Sequence, residues 1–250
     1  MTRLCIGTSG WSYDHWIGPV YPEGAEPAGL LALYAGHLGA VEINGTFYGL
    51  PERDTVAAWA DAVPEKFVFA VKASRYITHM KKLNDPADSV ARFFEAVEPL
   101  GEKLGPVLFQ LPPNWHADPE RLDAFLAALP AGRHVFEFRD ETWFSDEVRE
   151  ALACHGAASC LHDLGGTLSP EMDTGGLVYL RLHGPDGAYR GSYDDAALGG
   201  WAERIRGWRG EGREVHVYFD NDETGYAAEN AARLAGLVAG REPDLPPWRG

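Results

Sequence analysis

Four segments of this chain read as buried β-strands yet carry charged side chains: VEIN (41–44), VFEFRD (135–140), VYLRLHG (178–184) and VHVYFDN (215–221). In each, the apolar residues hold one parity, as Val41 and Ile43 or Phe136 and Phe138 do. The other parity carries Glu42 and Asn44, Glu137 and Arg139, Arg181 and His183, and Tyr218 and Asp220. Because successive side chains alternate across a strand, each segment sends its polar pair to one face. If that face were the wet side of an antiparallel sheet, tight turns should join the segments; stretches with helical periodicity separate them instead. Strands that alternate with helices belong to parallel sheets, which are covered on both faces. The polar parity must then point into an enclosed space, and that space is where function is expected.

Eight strands are predicted, near 4–9, 40–47, 67–73, 106–111, 134–139, 157–163, 177–183 and 214–220. Helices start after Asp85-Pro86, Asp118-Pro119 and Ser145, each a capping residue ahead of an amphipathic run, and others fall near 27–36, 52–62, 194–209 and 224–239. Between the sixth and seventh strands, Leu164–Gly176 is too short and too rich in Gly for a good helix. The expected fold is an α/β, TIM-like barrel of eight mostly parallel strands with an incomplete helical ring, a single domain over 1–250. An open doubly wound sheet is the runner-up.

A net charge of −15 and a pI near 4.9 disfavour broad contact with nucleic acid or anionic membrane, which depends on neutralising phosphates. No apolar run approaches the length of a membrane span, and the N-terminus lacks the apolar core of a signal peptide. Three cysteines, Cys5, Cys154 and Cys160, cannot all pair and form no CxxC motif, which points to a reducing cytoplasm. The oligomeric state stays open.

The active face of an α/β barrel lies at the C-terminal ends of its strands. In strand order the inward candidates there are Ser9; Glu42 and Asn44; Lys72; Gln110; Glu137 and Arg139; His162; Arg181 and His183; Tyr218 and Asp220. Aromatics follow the same ends, among them Trp11, Tyr13, Tyr48, Trp143, Tyr189 and Tyr193. Polar groups converging in an aromatic-walled cavity suit a small molecule.

Several ordered motifs in the chain, IGTSGW (6–11), VEINGTFY (41–48), VKASRYITH (71–79), LFQLPP (108–113), FEFRDETW (136–143), YLRLHG (179–184) and FDNDETGYAAENA (219–231), resemble the YecE-like proteins. That resemblance covers nearly the whole chain and implies a barrel fold, in a family annotated mainly as of unknown function. It implies no reaction.

Charge narrows the chemistry. Glu42, Glu137, His183 and Asp220 would suit a hard metal, but Lys72, Arg139 and Arg181 share the cavity, balance the three carboxylates and repel a divalent ion. No HExxH, phosphate loop or dinucleotide fingerprint is present, so neither metal nor cofactor is expected. What remains is acid/base chemistry of hydrolase or isomerase type on a small polyhydroxylated or anionic metabolite. Glu42, Glu137, Arg139, His183 and Asp220 are its expected catalytic groups. Glu42 and Glu137 would flank the reacting bond, and His183, beside Arg181, would serve as a base. The expected ligand contacts are Trp11, Asn44, Tyr48, Lys72, His79, Gln110, Trp143, Arg181 and Tyr193. Three other readings compete: a non-catalytic small-anion binder, a metal-dependent phosphodiesterase on nucleic acid, and a self-neutralising ion network that merely fills the barrel.

Overall fold

The computed structural model describes residues 2–242; the expected domain, 1–250, runs past them at both ends. Strands β1 (Leu4–Ser9), β2 (Ala40–Ile43), β3 (Val68–Lys72), β4 (Leu104–Gln110), β5 (His134–Glu137) and β6 (Ala158–Leu164) follow in order. After a two-residue strand β7 (Thr167–Leu168) come β8 (Leu177–Leu182) and β9 (Glu214–Phe219). Omitting β7, which pairs antiparallel with β6, the eight strands pair only in parallel and close on themselves through β1–β9 and β5–β6.

The parity read from the sequence is the parity of the barrel wall. Val41, Phe69, Phe109, Phe136, Leu180 and Val217 belong to the large outer core under the helices. A second, smaller apolar cluster has the opposite parity: Cys5, Val68, Ala70, Leu108, Val135, Cys160, Tyr179 and Tyr218 among others fill the barrel interior. Polar side chains share that inward parity two residues further along most of the strands, at the C-terminal mouth.

The ring is formed by α1 (Leu30–Ala35), α3 (Arg53–Asp61), α4 (Pro86–Val97), α5 (Pro119–Ala127), α6 (Asp146–Cys154), α7 (Asp195–Gly210) and α8 (Tyr226–Ala239), while α2 (Gly45–Tyr48) is a single turn at the mouth. Asp118 Oδ1 and Ser145 Oγ accept from the Arg121 and Val148 amides, capping α5 and α6. Asp85 does not cap α4: it sits in the left-handed region at φ 41° and its side chain accepts nothing from the helix. The second strand also stops earlier than predicted, at Ile43. Asn44 turns into the right-handed helical region and Thr46 Oγ1 donates to the Lys72 carbonyl (2.6 Å), so 45–48 coil over β3 instead of extending.

Residues 165–176 form no helix, as expected. Their hydroxyls bond to β6 instead, Ser169 Oγ accepting from His162 N (3.0 Å) and Thr174 Oγ1 from Ser159 N (3.3 Å), while Met172 packs on the outer core. Between β1 and β2 the Tyr34 hydroxyl of α1 accepts from Thr8 N (2.9 Å) and donates to Ala40 O (2.8 Å). Gly7 permits this approach, since a Cβ there would lie 1.9 Å from Ala40 O. Among the described residues no helix is long and apolar enough to cross a membrane.

Candidate active site

Arg181 lies at the centre of the mouth, 1% exposed, with every guanidinium donor engaged. Nε reaches both Glu42 oxygens (3.2 and 3.1 Å). Nη1 reaches Glu137 Oε2 (2.8 Å) and His183 Nε2 (3.2 Å). Nη2 is shared among Glu42 Oε1 (2.8 Å), Asp220 Oδ2 (2.9 Å) and Ser9 Oγ (3.2 Å). Glu42 is completed by donors from Ser9 Oγ (2.5 Å) and the Tyr179 hydroxyl (2.6 Å). Glu137 is also paired with Arg139.

Arg139 Nη2 stands 2.9 Å from the same His183 Nε2 that Arg181 approaches. A guanidinium can only donate, so Nε2 is the lone-pair nitrogen. Nδ1 therefore carries the proton and donates to Asp220 Oδ2 (3.0 Å). Burial alone would push the Glu137 carboxyl up, but Arg181 and then Arg139 outweigh it and hold it well below the usual range. Asp220 follows the same pattern, with burial opposed by Arg181 and the His183 bond. Burial likewise opposes the Arg181 charge, and Glu42, Glu137 and Asp220 overcome it, holding its proton more tightly than usual.

Beside this network, and open to solvent, is a cleft of about 570 Å³ with aromatic walls from Trp11, Tyr13, Tyr48 and Trp59 and a polar floor of Lys72, Asn44 and Asp220. Trp11 and Trp59 meet edge to face at 5.3 Å. Gly10 carries φ +89°, and a Cβ there would lie 2.4 Å from the Tyr13 hydroxyl, so the β1 loop can hold that ring over the mouth only with glycine at this position. The Tyr13 hydroxyl donates to Ser9 O (2.5 Å), and burial followed by the Asp220 charge pushes its acidity out of reach.

Lys72 stands apart from the paired charges. Its Nζ lies 4.6 Å above the Phe47 ring, and among the described residues no carboxylate oxygen lies within 4 Å of it. Burial, then the Arg181 charge, lowers its hold on a proton, against the weaker pull of Glu137, Glu42 and Asp220. Asn44 Oδ1, on the same floor, is buried with no hydrogen-bond partner. Most of the charged layer is saturated by itself; these two groups are not.

The predicted residues therefore separate. Trp11, Asn44, Tyr48, Lys72 and Asp220 line the cleft. His79, on the π-helical turn Tyr76–Met80, sits behind it against Phe47 (5.0 Å). Burial and the neighbouring Lys72 and Arg75 lower its affinity for a proton. Gln110 shares the inward parity of Glu137, its register partner, and is half-buried outside the cleft lining.

Four expectations are corrected. Glu42 and Glu137 cannot flank a substrate bond, because both are fully buried and one guanidinium occupies the space between them. His183 has both ring nitrogens engaged and no exposed surface. Trp143 belongs to the outer packing, stacked on Phe138 at 5.2 Å with Nε1 donating to Trp115 O (2.6 Å). Tyr193 is buried beneath the loop that follows β8, its hydroxyl donating to Asp163 Oδ2 (2.9 Å) and accepting from Gly184 N (3.0 Å). Arg181 itself lies beneath the cleft surface, so its contact with a ligand could only be electrostatic.

The sequence reading placed Tyr13 and Tyr189 among the mouth aromatics without a ligand role, and named neither Trp59 nor Tyr179. Tyr179 has the parity of Arg181 and could have been found by that rule, whereas Trp59 reaches the cleft from α3, where no strand-end pattern points to it. Among the described residues no three His, Cys, Asp or Glu side chains stand so as to hold a metal ion together. The four considered as ligands face guanidinium groups directly or share their oxygens with them.

Comparison with known proteins adds a family without a reaction. Residues 5–249 match the model of a family described as "Protein of unknown function DUF72", the barrel family of the sequence motifs under a different name from YecE-like. The UPF0759 protein YunF of Bacillus subtilis (strain 168) is 26% identical over 275 aligned positions, covering 94% of each chain. The crystal structure of a DUF72 family protein from Thermotoga maritima MSB8 superposes with a TM-score of 0.86 at 28% identity, over 95% of this chain and 99% of that one. A DUF72 family protein from Enterococcus faecalis V583 shares the fold at a TM-score of 0.79 and 22% identity, over 98% of both chains.

Proposed function

We propose, for a chain that belongs to the DUF72 family, that the barrel mouth binds a small organic anion and acts on it by acid/base chemistry through Lys72 and Asp220. The observation that carries this reading is the Lys72 amine: among the described residues, a cation with no carboxylate within ion-pair distance, on the floor of a cleft beside the paired charges. Asn44 asks for a donor beside the anionic group, such as a hydroxyl, since its buried carbonyl oxygen has no partner and costs about 1–3 kcal/mol until something donates to it. The aromatic walls favour a ligand with a planar or hydroxylated body beside its anionic group.

Asp220 is the carboxylate at the boundary. Its side chain is 15% exposed, against none for Glu42 and Glu137, so it alone of the three touches both the Arg181 network and the cleft. Held ionised by Arg181 and His183, it would accept a proton from a bound ligand, with Lys72 as the neighbouring donor. Lys72, Arg139 and Arg181 together disfavour a divalent cation in the same space. The complete pairing of the deeper charges favours one other reading, a binding protein that releases its ligand unchanged.

Isothermal titration with inorganic phosphate, phenyl phosphate and phenol tests the site. Phenyl phosphate should bind more tightly than either fragment, and Lys72→Met should weaken it by about 10- to 150-fold, the equivalent of one charge-assisted hydrogen bond of roughly 1.5–3 kcal/mol. Equal binding by a Lys72→Met variant that melts with the wild type would overturn the assignment. Recovery of every bound metabolite unaltered after long incubation would favour the binding protein over the enzyme.

A further inference from the structure

We propose that Lys72 is a carbonyl-capturing amine, forming a covalent imine with a small aldehyde, ketone or 2-oxo acid held in the cleft; this rests on the mouth being a small-molecule site. The inference starts from how the charges are shared. Arg181 is permanently protonated and takes its bonds from Glu42, Glu137 and Asp220, and Arg139 takes the remaining Glu137 oxygen. Among the described residues no carboxylate is left within ion-pair distance of the Lys72 ammonium, and burial together with the field of Arg181 outweighs the more distant pull of Glu137, Glu42 and Asp220. Among the described residues its close partner is the Phe47 ring, 4.6 Å from Nζ. A lysine so placed is easier to deprotonate than one in water, and the free amine is the nucleophile.

Its neighbours suit the remaining steps. The Nζ lone pair adds to the carbonyl carbon, and the π electrons move to oxygen. Asn44 lines the same cleft, and its side-chain NH2 group would donate to that oxygen as charge develops. Asp220, on the same floor, takes a proton from the adduct nitrogen and returns it to the oxygen, giving a neutral carbinolamine. The C–O bond then breaks as the nitrogen lone pair closes the C=N bond. The remaining N–H proton passes through Asp220 to the departing oxygen, which leaves as water, so amine plus carbonyl gives imine plus water with nothing oxidised or reduced. Thr46 Oγ1, bonded to the Lys72 carbonyl at 2.6 Å, ties the β3 terminus to the turn carrying Asn44 and Phe47 and keeps amine and acceptor on one rigid unit.

Five lysines are present, at 66, 72, 81, 82 and 103. The folded protein is incubated with pyruvate and sodium cyanoborohydride near neutral pH, and the rate of reductive labelling is read at each lysine by peptide mass spectrometry. Lys72 should label at least about ten-fold faster than the others, as the amine that is more readily deprotonated and lies in the carbonyl site. Lys72→Arg, whose guanidinium cannot form the imine, should lose the selective adduct while the other four lysines label as before. Labelling of Lys72 no faster than that of the other four would overturn the imine, whatever phenyl phosphate does. Failure of wild type to bind phenyl phosphate would instead remove the anion-site reading and leave a Lys72 adduct standing, so the two ideas fail separately.

Discussion

Replacing Arg181 with Met should strand two carboxylates, Glu42 and Asp220, inside the barrel. Removing one partner of a buried ion pair costs about 3–5 kcal/mol, because the other charge is left in a poorly solvating medium. Here one guanidinium lies within 3 Å of Glu42, Glu137 and Asp220, and Arg139 can still neutralise Glu137 alone. The expected loss is therefore at the top of that range, about 5 kcal/mol, against the roughly 5–15 kcal/mol that normally holds a domain folded. A variant this weak needs a companion. Arg181→Met combined with Glu42→Gln and Asp220→Asn leaves Glu137 and Arg139 as a balanced pair and should recover most of the loss. Urea titration followed by tryptophan fluorescence measures both.

The pH dependence supplies an independent arm. In wild type, Glu137 and Asp220 are held below their ordinary values of 4.5 and 3.8. Their contribution is thus fully present above those values and lost as pH falls through the lower folded ones. In Arg181→Met the stranded carboxylates gain from protonation instead, so the gap to wild type should be widest near neutral pH and narrow towards about pH 4. A single variant that loses less than about 1 kcal/mol at neutral pH, or a triple variant no more stable than the single, would refute the reasoning.

Gly184→Ala should destabilise the loop over the mouth, since φ there is +112° and the new Cβ would lie 2.2 Å from the Arg190 carbonyl oxygen. A backbone-to-backbone clash of this kind should cost about 1–3 kcal/mol or more, read as a lower melting temperature; an unchanged melt would mean that the loop relaxes freely. Thiol titration of the native protein should show one fast thiol, Cys154, because burial pushes Cys5 up to about 12 and Cys160 well above its ordinary value. Two fast thiols would contradict the packing of the barrel interior.

The fold was legible because strand parity is a local property. Glu42, Glu137 and Arg181 alternate with apolar neighbours wherever the strand runs, and the short Gly-rich stretch after Leu164 is a poor helix former. The partners of those charges were not legible. Whether Glu137 meets a substrate or a guanidinium depends on register between β5 and strands far away in sequence, and Arg181 lies 44 residues further along the chain. The same limit hid Trp59, which enters the cleft from a helix, and misplaced Trp143, whose neighbours Phe138 and Trp115 draw it into the outer layer. Lys72 was recognised as a cation but not as the unpaired one, since pairing is a property of the whole layer.

The phenol of Tyr34 ties ring to wall in a way that matters mechanically. A closed barrel has no sheet edge, yet one crossing between β1 and β2 runs through a side chain supplied by α1, a helix of six residues that could not hold its own shape in water. The stitch works in both directions: the strands give that short helix its anchorage, and the helix helps to keep the seam shut. Any motion that lifts α1 from the wall must loosen a rung directly below Ser9 and Glu42, and so carries a disturbance from the outside of the barrel to its charged mouth.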